Sequence, residues 1–325
     1  MNSAVLLSLC GGLSAGGAAL TPGVTDFIGP PGTTQFGSDV KVLPNGNFVV
    51  VDPYYQPPGL DRQTGAVFLY SRNGGLISTL TGSQENDLVG SGGVTVLANG
   101  NFVVLSGGWN NLMGAVTWGS AQTGVNGPVS GVNSLVGTAV MDDVGGQVAS
   151  SHGMTGGVVP LPNGNYIVLS PLWHRVLGTA HSIGAVTLGD GAAGTSGPIG
   201  VHNSIIGNFA GKNGVKVLRN GNCVVTDNYS AIWFSSDQLA SSPAYIRDSG
   251  NAAREIKIQA LEDGNFVTIW PEFGGGRGAV MWGDGHSGTE AAVSRELALV
   301  GSDEGDQVGS GGVVALPGGG YGVIS

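Results

Sequence analysis

Charged residues are scarce in this sequence. Lys, Arg, Asp and Glu make up 10% of the 325 residues, against about 25% in an ordinary soluble domain. The twelve Lys and Arg residues are scattered and the formal net charge is −10. Nucleic acid and anionic membrane surfaces bind clustered cations, so this composition argues against both as partners. No uninterrupted run of about 20 apolar residues is present, and the sequence therefore predicts no membrane insertion.

Cysteine is almost absent. Cys10 and Cys223 are too few for a disulfide framework, and both lie in apolar, strand-like runs. The sequence predicts that they are buried free thiols.

Glycine, in contrast, is abundant, with 61 residues in the chain. The glycines keep no three-residue period, which excludes a collagen helix. Since 41% of the residues are hydrophobic and Val-rich runs recur, disorder is excluded as well. Gly-rich turns between short apolar strands fit this composition best.

Asn-Gly-Asn, or a close variant, recurs before short apolar runs along the whole chain. Asn-Gly between two apolar runs is the strongest short hairpin signal, and a type I′ turn needs positive φ at both central residues. The sequence therefore predicts a repeat protein built on hairpins with type I′ turns. The copies are Asn45-Gly46-Asn47, Asn99-Gly100-Asn101, Asn163-Gly164-Asn165, Asn220-Gly221-Asn222, Asp263-Gly264-Asn265 and Gly318-Gly319-Gly320.

Two further apolar segments follow each turn. In the second unit they are Gly114-Ala115-Val116 and Ser134-Leu135-Val136. Each unit is thus predicted to hold four short strands, which we call the first to the fourth strand. The turns begin at residues 45, 99, 163, 220, 263 and 318, so the units are 43 to 64 residues long. Four strands in roughly 40 to 50 residues are typical of a β-propeller blade.

The predicted fold is all-β, a single β-propeller domain over residues 1–325 with six four-stranded blades. Two N-terminal strands and two C-terminal strands are expected to complete the sixth blade and close the ring, which would leave no open sheet edges. A parallel β-helix is the main alternative, although its coils are shorter than these units. The predicted units 1 to 6 are residues 36–82, 90–137, 157–207, 214–247, 256–301, and 312–325 together with 3–29.

Aromatic and polar residues cluster in the connections between the second and third strands. In a propeller these connections lie on one face together with the fourth-to-first connections. Aromatic rings stack on the C–H faces of sugars while amides and carboxylates bind hydroxyl groups, so a ligand rim is one interpretation and packing between blades is the other. The candidate ligand-binding residues are Tyr54, Tyr55, Trp109, Trp173, His174, Asp227, Tyr229, Trp270, Glu272 and Phe273.

Support for catalysis in the sequence is thin. The histidines have no metal-ligand spacing, and neither a Gly-x-Ser-x-Gly elbow nor a phosphate loop is present. We therefore predict no catalytic residues, no metal site and no cofactor. An enzyme stays open as an alternative, a propeller hydrolase acting on a glycan or lactone through carboxylates such as Asp52, Asp227 and Glu272. Carboxyl groups about 5 to 10 Å apart in one pocket would favour it.

Residues 112–170 and 278–321 carry the consensus Gly-Ala-Val-x-Trp-Gly, Asn-Ser-Leu-Val-Gly, Asp-x-Val-Gly-Ser-Gly-Gly-Val and Leu-x-Asn-Gly-Asn-Phe-Val-Val best. This pattern resembles a Gly-rich repeat of large bacterial secreted and surface proteins, including haemagglutinin-like ones. The resemblance weakens from residue 223 to 260. It implies an extracellular or cell-surface location and an adhesive or scaffolding role, and it supplies no catalytic residues.

Together these observations predict a non-catalytic extracellular binding or adhesion module that presents its aromatic loops to a glycan or protein ligand. A structural spacer or a self-assembling filament subunit is the second possibility, because low charge and short loops favour self-association.

Overall fold

Short antiparallel strands run through the whole of the described chain. The computed structural model describes residues 4–8, 24–146, 156–174, 183–238, 243–248 and 255–325. The all-β prediction is confirmed, with helix confined in these residues to single turns at Trp109–Leu112, Phe273–Gly276 and Pro317–Gly319. No helix in these ranges is long and apolar enough to cross a bilayer.

The strands of the first half of the chain form one hairpin and three sheets, and each sheet is built mainly from the strands of one unit. The hairpin consists of β1 (Ala4–Ser8) and β2 (Val24–Ile28). Unit 1 holds β3 (Asp39–Val42), β4 (Phe48–Asp52), β5 (Ala66–Tyr70) and β6 (Leu76–Thr81). Unit 2 holds β7 (Val94–Val96), β8 (Phe102–Ser106), β9 (Ala115–Gly119), β10 (Gly127–Pro128) and β11 (Ser134–Val136). Unit 3 holds β12 (Gly157–Pro160), β13 (Tyr166–Ser170), β14 (Ala185–Gly189), β15 (Gly197–Pro198) and β16 (Ser204–Ile206).

The second half continues the same arrangement. Unit 4 holds β17 (Val215–Val217), β18 (Cys223–Thr226), β19 (Ser230–Phe234) and β20 (Ala244–Arg247). Unit 5 holds β21 (Lys257–Ala260), β22 (Phe266–Trp270), β23 (Ala279–Gly283), β24 (Ala291–Ala292) and β25 (Leu299–Val300). A last hairpin follows, β26 (Gly312–Ala315) and β27 (Tyr321–Ile324).

The second and third strands are the core of every sheet. In units 1 to 5 their residues are buried almost without exception, whereas the first strands, and the fourth strands other than β11, are partly exposed. Both faces of these strands are covered because neighbouring sheets pack face to face. Val49 and Val51 of unit 1, for example, share one apolar cluster with Val104 of unit 2. A strand buried on both faces needs a continuous apolar run, which is the pattern that the sequence carries after each Asn-Gly turn.

First strands of successive units lie beside one another. β7 lies against both β3 and β12, and β21 lies against both β17 and β26. At the opposite edge of the sheets, a two-residue strand from the next unit pairs in parallel with the fourth strand. β10 pairs with β6, β15 with β11 and β24 with β20. Units 1 and 2, units 2 and 3, and units 4 and 5 are therefore attached both along their first strands and along a fourth strand.

The hairpin turns differ in type from the prediction. In the first turn the positive φ falls on Gly46, at 88°, and not on Asn45. The Gly46 N–H donates to Leu43 O, and Leu43 N–H donates to Asn47 O. This is a three-residue loop, a type I turn followed by a left-handed glycine, so the type I′ prediction was wrong. Pro44 suits the first corner position, because its ring holds φ near −65°. Proline is not required there, since the turns of units 2, 4 and 5 make the same two hydrogen bonds without it.

In the first four turns, both asparagines donate to one carbonyl oxygen of the following unit. We call this set of contacts the asparagine belt. Asn45 and Asn47 Nδ2 lie 2.8 Å from Ala121 O, in the third-to-fourth connection of unit 2. The remaining pairs do the same: Asn99 and Asn101 to Gly191 O, Asn163 and Asn165 to Ser236 O, and Asn220 and Asn222 to Gly285 O.

The second asparagine of each turn continues the belt through its side-chain oxygen. Asn101 Oδ1 accepts the N–H of Ala121, the residue whose carbonyl oxygen holds the amides of unit 1. Asn165, Asn222 and Asn265 accept the N–H groups of Gly191, Ser236 and Gly285 in the same way. Side-chain amides and main-chain groups thus alternate in one connected series from unit 1 to unit 5, and such series polarise one another cooperatively.

The two terminal hairpins form separate two-stranded sheets within the described residues. Phe27 of β2 packs against Phe48 and Tyr70 of unit 1, with centroids 5.1 and 4.7 Å apart. The last hairpin packs against unit 5. The predicted pairing that would join these hairpins into a sixth blade stays a prediction. Cys223 is a buried free thiol, as predicted, and Cys10 lies outside the described residues.

Removing one asparagine of the belt is expected to destabilise the fold. In Asn101→Ala, the Gly191 carbonyl loses one donor and the buried Ala121 N–H loses its acceptor. A buried polar group left without a partner costs about 1 to 3 kcal/mol, so the free energy of unfolding should fall by roughly that amount. Guanidinium unfolding measures it. Gln122→Ala, at the exposed residue beside Ala121, is the control and should change stability by less than about 0.5 kcal/mol. Equal stability of the two variants would contradict a structural role for the belt.

Candidate functional site

The second-to-third connections lie at the end of the sheets opposite the asparagine belt, beside the fourth-to-first linkers. Asp87 and Asp142 join the two kinds of connection. Asp87 Oδ1 accepts the Asn110 N–H at 2.9 Å, and Asp142 Oδ1 accepts the His174 N–H at 2.7 Å. In both cases the linker that leaves one unit is bound to the loop of the next. We call this end of the molecule the loop face.

Three of the predicted ligand-binding rings face the core. Trp270 is completely buried, and Trp173 and Tyr55 are 6% and 8% exposed. Trp270 Nε1 donates to Thr268 Oγ1 at 2.9 Å, and Tyr55 packs edge-on against Phe68. Burial, with the nearby Asp52 carboxylate, raises the pKa of Tyr55. These rings have no free face on which a ligand could stack, so their burial supports the interpretation that they pack in the core.

The other predicted residues reach the surface. Tyr54 is 37% exposed and Glu272 is exposed, whereas Trp109, His174, Tyr229 and Phe273 are half-buried. The His174 ring lies edge-on to Trp173, and its Nε2 is 3.1 Å from Thr138 Oγ1. A ligand that contacts the loop face would therefore meet Tyr54, Tyr229 and Phe273 more readily than Trp173 and Trp270.

The buried carboxylates of these loops hold main-chain N–H groups. Asp52 Oδ2 accepts from Thr34 and Gln35, and its Oδ1 accepts from Tyr54. Asp227 Oδ1 accepts from Tyr229 at 2.8 Å and from Ser230. Burial raises the pKa of Asp227, against those two hydrogen bonds and the charge of Lys212. Both groups order their own loops, which is a structural task.

A cavity between units 4 and 5 is a feature that the sequence did not reveal. It has a volume of about 360 Å³ and opens where the first strands begin, at the loop-face end of the sheets. Its lining combines apolar strand residues with charged and polar groups: Asn213, Gly214, Val215, Lys216, Val224, Thr226, Glu255, Ile256, Lys257 and Ile258. The sequence feature that could have indicated this cavity is the uneven distribution of the lysines. The chain has four lysines, and Lys212, Lys216 and Lys257 fall within or beside this lining.

Four segments of the chain match the family described as a repeat of unknown function (DUF5650). They are residues 42–93, 96–146, 160–214 and 260–310, and together they cover more than half of the chain. The chain belongs to this family. Each DUF5650 segment begins at the last residue of a first strand and ends in the linker after the fourth strand. No curated protein matches the chain.

Residues 215–259, which lie between the third and fourth DUF5650 segments, form most of unit 4 and the start of unit 5. Unit 4 departs visibly from the consensus, with Ser230-Ala231-Ile232-Trp233-Phe234 in place of Gly-Ala-Val-x-Trp-Gly. The cavity is therefore lined largely by the unit that least resembles the repeat.

Within the described residues, no group of three or more His, Cys, Asp or Glu side chains could hold a metal ion. The acidic segment from Asp303 to Asp306, in the linker after unit 5, forms a turn in which Asp306 Oδ2 accepts the Asp303 N–H.

Asp143, in the linker after unit 2, is a buried acid of the loop face. Its Oδ1 has no hydrogen-bond partner among the described residues and lies so close to Gly146 that a side chain there would collide with it. Burial raises the pKa of Asp143 to about 6. The corresponding residues of the other DUF5650 linkers are Leu88, Phe209 and Gln307, and all four have positive φ.

The raised pKa of Asp143 predicts a pH dependence of stability. The folded chain holds this proton more tightly than the unfolded chain, so the stabilisation is complete below about pH 4 and is lost as the pH rises through about 6. The free energy of unfolding at pH 7 should then be about 2 kcal/mol lower than at pH 4 because of this group. Asp143→Asn stays neutral and suits positive φ, so it should remove this slope and stabilise the protein at pH 7.

Denaturant unfolding at several pH values measures the Asp143 effect. Asp303→Asn, at an exposed acid of the linker after unit 5, is the control and should keep the slope of the unaltered protein. An unchanged slope in Asp143→Asn would rule out the buried acid as its source.

Proposed function

We propose that the chain is a six-bladed β-propeller, closed by its two terminal hairpins, and that it acts as a non-catalytic binding module. The ligand is a glycan or a protein, bound on the loop face, in the extracellular or cell-surface setting that the bacterial surface-repeat resemblance implies. The observation that carries the proposal is the contrast between the two ends of the units. One end is occupied by the uniform asparagine belt, and the other carries loops that differ in every unit.

The packing of the units supports the propeller. Sheets that stack face to face with their first strands side by side form a fan around the line of first strands. The partial exposure of all the first strands, beside fully buried second strands, is the pattern expected when first strands border an open axis. The contacts of Phe27 with unit 1, and of the last hairpin with unit 5, are compatible with a sixth blade.

The state of the loop carboxylates supports binding over hydrolysis. Asp52 and Asp227 would have to act on a substrate in the hydrolase alternative, and both are occupied by main-chain N–H groups. They belong to units 1 and 4, which share no packing cluster among the residues that the structure describes. A paired-carboxylate mechanism needs two such groups about 5 to 10 Å apart in one pocket.

Small-angle X-ray scattering tests the closed ring. A compact chain of this length has a radius of gyration of about 20 Å, and the closed propeller should give that value for the monomer. Units arranged in an open row would give a clearly larger radius and an asymmetric distance distribution. That result would sink the six-bladed arrangement.

Glycan and protein arrays test the binding role. If the loop face binds, Tyr54→Ala and Tyr229→Ala should each weaken binding of the recognised ligand about two- to tenfold, because an aromatic contact contributes about 0.5 to 1.5 kcal/mol. Trp282→Ala is the control, since Trp282 is also exposed but lies on the third strand of unit 5, away from the loops. Ligands that bind both loop variants as well as the unaltered chain would remove the loop face as the contact surface.

A further inference from the structure

We propose that the cavity between units 4 and 5 binds a hydroxylated organic monoanion, the chemistry of a uronic acid residue. The inference rests on the proposed binding function and names a ligand class for one place on the loop face. It starts from the composition of the cavity lining, in which Lys216 and Lys257 lie beside Thr226, Asn213 and Glu255.

Strand register places the cationic and polar groups on the same side of unit 4. Lys216 pairs with Val224 across the first two strands, and Thr226 follows Val224 by two residues, on the same face. Gly214, which directly precedes the first strand and also lines the cavity, leaves the space beside it open, since a side chain there would contact nothing within 4 Å. The cavity thus has a base of strand residues and a cationic wall. Its volume of about 360 Å³ is within the range of small-ligand sites.

The charge around the cavity is opposite to that of the protein as a whole. The chain has a formal charge of −10 and four lysines, of which Lys212, Lys216 and Lys257 gather here. A generally acidic surface repels anions, so an anion can bind only where cations are concentrated locally. The first-strand position of Lys216 is also a lysine in unit 1, but Lys41 is paired there with Asp39 at 2.9 Å. In units 2, 3 and 5 the position is occupied by Thr95, Val159 and Gln259.

The acidic groups beside the cavity favour a monoanion over a phosphate. Glu255 is part of the lining and lies 3.8 Å from Lys257 Nζ, so the lining as a whole carries one net positive charge. Lys212 is engaged outside the lining, where its Nζ donates to Asn228 Oδ1 and lies near Asp227. A carboxylate matches a single net charge better than a dianionic phosphate does.

The remaining polar groups of the lining can form hydrogen bonds with hydroxyl groups of a ligand. Asn213 Nδ2 donates to Thr226 Oγ1 at 3.0 Å, which leaves the threonine hydroxyl proton and the Asn213 side-chain oxygen for a ligand. Glu255 accepts hydrogen bonds and cannot donate them when ionised, so it binds hydroxyl groups and repels a second carboxylate. A carboxylate flanked by several hydroxyl groups therefore satisfies the whole lining.

Titration calorimetry with free glucuronate tests the inference, with glucose and inorganic phosphate as comparison ligands. Lys216→Gln and Lys257→Gln should each weaken glucuronate binding about tenfold, as expected when a charge contact worth about 1.4 kcal/mol is lost. Both lysines are exposed, so the substitutions should not unfold the chain, and circular dichroism checks this. Lys41→Gln is the matched control, because Lys41 occupies the register position of Lys216 on the first strand of unit 1.

We expect glucuronate to bind the unaltered chain and Lys41→Gln alike, with no binding of glucose. Equal glucuronate binding by all variants, equal binding of glucose, or tighter binding of phosphate would each overturn the assignment. If array ligands no longer bind Tyr54→Ala but still bind Lys216→Gln, the loop-face function is supported and the cavity is rejected as its anion site. Glucuronate binding that depends on Lys216, with no array ligand that depends on Tyr54, would support the cavity and reject the aromatic loops.

Discussion

The hydrogen bonds from two asparagine amides to one carbonyl oxygen of the next unit are the interaction on which the rest of the structure depends. A four-stranded sheet of short strands with two apolar faces cannot be stable alone, because both faces need a neighbour to cover them. Apolar packing by itself is non-directional and tolerates sliding. The Asn-to-carbonyl contacts are directional, and because Ala121, Gly191, Ser236 and Gly285 sit at equivalent positions, they hold the units in one register.

This constraint separates the molecule into a uniform end and a variable end. Trp118 and Trp233 add their Nε1–H groups to the Gly191 and Gly285 carbonyls, which makes the belt end still more alike from unit to unit. At the loop face, the linker carboxylates Asp87 and Asp142 bind the main chain of the neighbouring loop, and these contacts do not depend on which side chains the loop carries. Those side chains are therefore free to differ, as Asn110 and His174 do.

Unit 4 illustrates this freedom. It keeps Asn220 and Asn222 of the belt, and it still packs on both sides, through Val225 towards unit 3 and Trp233 towards unit 5. Its linker and first strand have changed, with Asn208 at the position of the usual aspartate and Lys216 in place of an uncharged residue in unit 2 or 3. The cavity lies where the scaffold tolerates change, so a ligand site could arise there without loss of the fold.

Local sequence was sufficient for much of the architecture. The strands could be predicted directly from the apolar runs after Asn-Gly. A short apolar segment between two turns that is buried on both faces is expected to form a strand. The turn type was misjudged because Asn-Gly occupies the last two positions of a three-residue loop and does not form a two-residue loop by itself. Membership of a repeat family also follows from local pattern, because Asn-Gly-Asn and Gly-Ala-Val recur at similar spacing.

Tertiary structure decided the candidate site. Tyr54 and Tyr55 are adjacent residues of the same type, yet Tyr54 is at the surface and Tyr55 is in the core. The path of the chain after Asp52 decides which of the two rings is buried. Lys216 and Lys257 are 41 positions apart in the sequence, and neither belongs to a motif. The sequence by itself determined the strands, the positions of the turns and the repeat, which depend on neighbours along the chain. Only the packing of one sheet on the next decided which rings are buried and which lysines share a cavity, because those contacts join residues that no local pattern connects.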